Sequence, residues 1–529
     1  MTEDAPGGDP VSGSVALLDE PVADSPSSWL ARRDPVRWTL GAMVVAWSAV
    51  FITLGWIRHT RFATFSFDLG IYDQAIWLMS RFHDPFVTVR GLEFFGHHVN
   101  PILIAFVPFY WLGAGPLFLL VAQVMVQASG AIAVYLLARD LLKERWPAVA
   151  LAAVLLLNPT YQFLTWEFFH PDALAIAPLL FAYWAARTER WRWFVVFAII
   201  AAACKEDVAL ALVVMGILIA FRGRRKIGVA VVGASLVWYM FATRVIIPWQ
   251  NGIGPFYDSF FGDLGKNPGE IAAHLVEHPK DGLDLATRAD RVSYYEMMLA
   301  PVAFLPLLAL PVFLIAGPML AVNVLSSFPY TREIRYHYSS LVLVGVILGT
   351  VEAVAWIGRR RPGVMRFLVG LVVATSLAAT VAWGPSPIST KYHSGLWPLQ
   401  RDRQSAKVAA VEMIPSGAPT SAIYNLLPHL AHRDQIYDFP VPWKNVNWGV
   451  RGEHLDDPAD VQWIIVDRRE VGPDDRQLLD TLLEHQFRVR SLRDDILVAQ
   501  RVRPPPTKDP ATKDPATKDR ATKDRAGKG

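Results

Sequence analysis

The feature that most constrains this chain is a succession of apolar runs, about eleven of them between residues 38 and 383, each ended by a short polar gap. They occupy 38–57, 101–138, 146–159, 173–186, 193–203, 208–221, 227–247, 297–316, 319–328, 341–357 and 367–383. Among 529 residues 53% are hydrophobic, more than an ordinary soluble protein carries, so the pattern predicts a polytopic α-helical membrane protein. Several runs fall short of the roughly 20 residues a regular spanning helix needs, which predicts broken or re-entrant helices lining a polar cavity.

The polar gaps alternate in character. Arg32, Arg33 and Arg37 precede the first run, and RDLLKER (139–145), RTERWR (187–192), RGRRK (222–226) and GRRRPGVMR (358–366) fall in gaps that counting from there puts on the same side. Basic residues stay inside, so the N-terminus is expected in the cytoplasm and the C-terminus outside. Histidines and carboxylates gather in the other gaps, including the outer loops 58–100 and 248–296. The net charge of +3 is spread in short clusters, with no basic face for a nucleic acid. The lone Cys204 permits no intrachain disulfide and no cysteine-based zinc site.

Residues 1–30 are acidic and rich in Gly, Pro and Ser, and 504–529 repeat TKDPA and TKDRA; both read as disordered tails. Between the tails, 31–384 form the membrane domain and 385–503 a small exoplasmic α/β domain. Within the latter, VQWIIVD (461–467) reads as a buried strand, 474–485 as a helix, and FRVRSLRDDILVAQR as two strands joined by a turn at 493–495.

Five polar clusters carry the candidate chemistry. Asp68 and Asp73 lie in FDLGIYD; five residues apart, they share no helical face and act together only if Gly70 breaks the helix. Either Asp68 is a general base or cation ligand, or it caps the following helix. His97 and His98 end the same loop, as metal or phosphate contacts or as interfacial polar residues. In WEFFHPD, the spacing of Glu167 and His170 suits one helical face and a shared ligand, with Asp172 as a further ligand or an N-cap. Lys205, Glu206 and Asp207 separate two very apolar runs; the lysine suits a phosphate, with a neighbouring carboxylate as counter-ion. In PYTREIRYHY, Arg332, Arg335 and His337 sit on the outer side against the positive-inside trend, for an anionic headgroup or as snorkelling residues beside Tyr330, Tyr336 and Tyr338.

FDLGIYDQAIW, GHHVNPILIAFVPFYWL, EFFHPDALAIAPLLFAYW and CKEDVAL follow in that order, and through them the chain resembles the membrane-protein family called domain of unknown function 2079 (DUF2079). Its suggested relatives are the GT-C glycosyltransferases. That resemblance implies a GT-C-like fold, a polyprenyl-phosphate sugar donor, and an envelope glycan, lipid or protein as acceptor at the outer face of the plasma membrane. It implies Asp68 as catalytic base or metal ligand with Asp73 as its alternate, and Lys205, Arg332 and Arg335 at the donor phosphate. The cofactor the resemblance leaves open is a divalent cation, Mg2+ or Mn2+, although the first outer loop departs from the pattern by having no Asp-X-Asp or Asp-Glu pair. The rival readings are a transporter or flippase of a lipid-linked or anionic substrate, which intramembrane charges also suit, and a non-catalytic envelope scaffold.

Overall fold

Prolines open most of the long helices, at the first-turn position where a missing N–H costs nothing. Pro35–Thr60 is capped by the Asp34 side chain, which accepts from the Val36 amide; Pro116–Leu142, Pro171–Arg187 and Pro362–Trp383 begin the same way. The computed structural model describes residues 34–167, 169–252, 257–393, 403–446 and 453–502. The two expected disordered tails lie outside them.

Six described helices are long and apolar enough to cross a membrane: Pro35–Thr60, Pro116–Leu142, Arg225–Asn251, Leu305–Leu325, His337–Gly358 and Pro362–Trp383. A seventh arises if Arg145–Leu157 and Pro159–Trp166 count as one span bent by 52°. At that bend Asn158 accepts from the Thr160 and Tyr161 amides, starting a new helix where Pro159 interrupts the old one. Other expected crossings fall on shorter apolar helices such as Trp191–Ala202 and Val208–Phe221, so the described residues hold six or seven helices of spanning length where eleven crossings were expected.

One pair of expected crossings has different limits. Runs 297–316 and 319–328 give way to a hairpin whose first limb is Ala289–Leu299 and whose second is Leu305–Leu325. Ala303 and Phe304, both at positive φ, make the turn. The carbonyl of Pro301 beside it accepts from Thr375 and Ser376, in the interior of Pro362–Trp383. The limbs rejoin where Arg291 donates to the carbonyls of Val324 and Ser326. Hydropathy alone missed the turn because the chain stays apolar through it.

Small residues bring helices together where lipid supplies no hydrophobic drive. A Cβ on Gly228 would sit 2.5 Å from the Gly216 carbonyl oxygen, so Val208–Phe221 and Arg225–Phe241 pack backbone to backbone.

Residues 403–446 and 453–502 contribute a five-stranded sheet in the order Ile436–Asp438, Thr420–Ala422, Trp463–Asp467, Ile496–Arg501, Phe487–Arg493. The first three strands are parallel and the last two join antiparallel. Asp494 and Asp495 take positive φ in the expected hairpin turn. The two short parallel strands are too brief to show a period. The loop after Pro35–Thr60 binds this sheet to the bundle: the Ser66 amide donates to the Tyr424 carbonyl (2.8 Å) and the Ser66 hydroxyl to Asp438 (2.5 Å). Thr88 exchanges hydrogen bonds with the Ile436 backbone.

Candidate functional site

Segment Ser66–Gly70 is a single turn broken at Phe67 and Asp68, where Asp68 has φ 67° and ψ −83°. Asp tolerates positive φ better than most residues, which lets the chain point this side chain away from the following helix. No side chain caps Ile71–Ser80, so the capping alternative for Asp68 is not what the structure shows. Asp68 instead lines a cavity of about 780 Å3.

The same cavity collects residues from four separate gaps: His97 and His98, His170 and Asp172, Lys205 and Asp207, and His337. Each pair stands at a helix end, so the helix ends, not the helix faces, form the polar wall. Asp172 is the hub: it lies 2.5 Å from His170 Nδ1 and 3.3 Å from Lys205 Nζ. On its other nitrogen His170 meets the Tyr72 hydroxyl at 3.0 Å and Asp68 at 4.0 Å. The His337 ring lies flat on His170, centroids 3.5 Å apart. Lys205 also reaches Asp207 at 3.5 Å.

Burial dominates the electrostatics here. It raises the Asp68 carboxyl above its ordinary range, against the pull of His170, and pushes Asp207 up to about 7. Burial also works against the Lys205 ammonium, but Asp172, Asp207 and Glu206 outweigh it, and the amine stays charged well beyond its usual range. His97 and His98 are held well below normal, chiefly by burial, and are therefore neutral.

The other expected site residues are placed elsewhere. Asp73 is fully buried and accepts from the Tyr110 hydroxyl (2.7 Å) and His432 (3.1 Å), joining the bundle to the sheet domain. Glu206 turns from the cavity to accept from His98 and the Val99 amide. Glu167 pairs with Arg335 at 2.8 Å and lies 3.9 Å from Arg58. It shares no helical face with His170, because the helix stops at Trp166 and Pro171 starts another. Arg332 binds Asp290 (2.7 Å) and the Ser326 carbonyl (2.6 Å). Neither arginine of that segment lines the cavity.

Arg244, Tyr72 and Arg90 are among the cavity residues not singled out from the sequence. Arg244 faces the cavity from Arg225–Asn251 and has no carboxylate partner among the described residues. An arginine inside an apolar run was the signal that marks it. Tyr72 sits within the FDLGIYD motif but was unmarked, and Arg90, which pairs with Glu453, had no local signal. The lining also includes apolar side chains, among them Leu210, Met240, Ile315, Met319 and Val322.

The family model described as predicted membrane protein (DUF2079) matches residues 58–498. No curated protein matches the chain. Among solved structures, the crystal structure of ArnT from Cupriavidus metallidurans bound to undecaprenyl phosphate is similar at 13% identity and a TM-score of 0.49, covering 90% of this chain and 99% of that one.

Proposed function

We propose, for a chain that belongs to the DUF2079 family of predicted membrane proteins, the activity of a membrane glycosyltransferase that takes its sugar from a polyprenyl-phosphate donor and passes it to an envelope acceptor on the outer face of the plasma membrane. The observation that carries this reading is the mixed lining of the large cavity, which holds Asp68, Lys205 and Arg244 together with Met240, Ile315, Met319 and Val322. That is the chemistry of a lipid with an anionic head.

In the proposed reaction Asp68, ionised, takes the proton of the acceptor hydroxyl as its oxygen attacks the anomeric carbon. The bond from that carbon to the phosphate oxygen breaks, and its electron pair leaves with the polyprenyl phosphate. Lys205 and Arg244 hold the leaving charge, in the place that Arg332 and Arg335 were expected to fill. A positioned base of this kind is worth roughly 10²- to 10⁴-fold. Asp73, tied up by Tyr110 and His432, takes no part. His97, His98 and the His170–Asp172 pair shape the polar wall beside the base.

Transport is the less favoured reading. At the other ends of the helices, Glu352 is clamped by Arg187 (2.5 Å), Arg222 (3.3 Å) and the Tyr183 hydroxyl (2.7 Å). A carrier has to open on both sides, and two arginines closed on the buried Glu352 resist opening. The test is transfer of labelled sugar from a polyprenyl-phosphate donor by the purified protein in detergent, wild type against Asp68→Asn. Transfer that survives the substitution sinks the assignment, as does labelled-substrate flux in proteoliposomes with no covalent product.

A further inference from the structure

His170, Asp172 and His337 each offer one ligand atom, and these atoms all lie within 4.8 Å of one another. His170 and Asp172 are 4% and 2% exposed. The Nδ1 of His337 is buried with no hydrogen-bond partner, an uncompensated cost unless something outside the protein engages it. From these observations we infer that His170, Asp172 and His337 form a divalent metal site in the cavity wall, one that prefers zinc-class ions to Mg2+. The inference stands apart from the transferase reading: a bound ion requires only these three side chains.

The donor set decides the class of ion. Two imidazoles and a carboxylate suit borderline ions such as Zn2+, whereas Mg2+ demands six oxygens in a near-ideal octahedron. Metal–ligand bonds of about 2.0–2.2 Å need the ligand atoms closer than they now stand. The His170 and His337 rings now stack 3.5 Å apart, so ligation of one ion by both requires a ring to rotate out of the stack, a turn about the soft imidazole χ2 torsion. Outer partners are already present: Tyr72 holds His170 at 3.0 Å, and Lys205 holds Asp172 at 3.3 Å. Such supports fix ring orientation and ligand basicity in metal sites.

The full-length protein, purified in detergent and stripped with EDTA, is equilibrated with ZnCl2, freed of excess by gel filtration and analysed by plasma mass spectrometry. One zinc per chain, not displaced by excess Mg2+, is the expected result. His337→Gln weakens zinc binding by at least about tenfold in competition with a chromophoric chelator, while His83→Ala, outside the cavity, does not. Zinc raises the Tm of the wild type and not that of His337→Gln, and Co2+ gives a visible absorption band only with the wild type. Substoichiometric zinc, or equal zinc in wild type and His337→Gln, overturns the site and marks the metal as adventitious. Should His337→Gln not survive gel filtration, the wild-type stoichiometry and the Mg2+ competition decide alone. Sugar transfer that persists in stripped protein counts against neither proposal, so the two fail separately.

Discussion

Replacing Arg244 by Gln removes a guanidinium that faces the cavity, is not packed inside the protein, and has no carboxylate partner among the described residues. Nothing buried is orphaned by the change, so the expected loss of stability is within about 0.5 kcal/mol, the range of surface substitutions. If a lipid phosphate docks there, the variant loses one charge-assisted contact, worth about 1.5–3 kcal/mol. At 1.4 kcal/mol per tenfold, that is roughly 10- to 150-fold weaker binding. Lys205→Met is the contrasting case. Lys205 is 4% exposed between Asp172 and Asp207, and its removal leaves both carboxylates without their cation, at a cost of about 3–5 kcal/mol. The assay is polyprenyl-phosphate binding by native mass spectrometry, with Tm measured on the same samples. Arg244→Gln should lose affinity and keep its Tm; Lys205→Met should lose both. Wild-type affinity in Arg244→Gln refutes the placement of the phosphate, and a collapsed Tm in that variant refutes the claim that its guanidinium is structurally idle.

Asp68→Asn, an isostere that still tolerates positive φ, should fold normally and lose transfer. Because burial raises the Asp68 pKa and the base acts ionised, wild-type rates should climb with pH through a midpoint above the ordinary carboxylate value of about 3.9. A rate independent of pH from 4 to 8 contradicts that role. Asp73→Ala orphans the Tyr110 hydroxyl and should cost about 1–3 kcal/mol, read as a lower Tm, with transfer per folded molecule retained; lost transfer at unchanged Tm would return Asp73 to the reaction. Asp438, pushed up to about 7 by burial, binds its proton more tightly in the folded state than in the unfolded one. Its contribution to stability is therefore full below about pH 4 and falls as pH rises toward 7. Tm should drop over that interval in the wild type and less steeply in Asp438→Asn, and identical slopes exclude the effect. Gly228→Leu places a side chain where a Cβ already meets backbone at 2.5 Å, so it should abolish accumulation of monodisperse protein; a variant that purifies as the wild type does would contradict the close packing.

Much of the fold was legible because it follows from rules that act within one element. The run 208–221 coincides with the helix Val208–Phe221, and the turn at 493–495 falls where Asp494 and Asp495 take positive φ. Hydrophobicity and turn chemistry need no distant partner to express themselves. The hairpin turn at Ala303 and Phe304 was illegible because its carbonyl is satisfied by Thr375 and Ser376, more than seventy residues away. The site divided along the same line. Hydropathy alone puts nearly all of the charged and imidazole groups at the ends of apolar runs, because burying them within lipid costs too much, with Arg244 an exception. Which of them share a cavity depends on how the helix ends pack against one another. Arg244 lies inside an apolar run and Arg332 just beyond one, and Arg332 is consumed by Asp290 and the Ser326 carbonyl while Arg244 faces the cavity. Asp68 and Asp73 stand five residues apart, and one broken turn sends them to different partners. The physical reason is range: a propensity is settled within a helical turn or two, whereas the partner of a buried charge is chosen by whichever distant element packs against it.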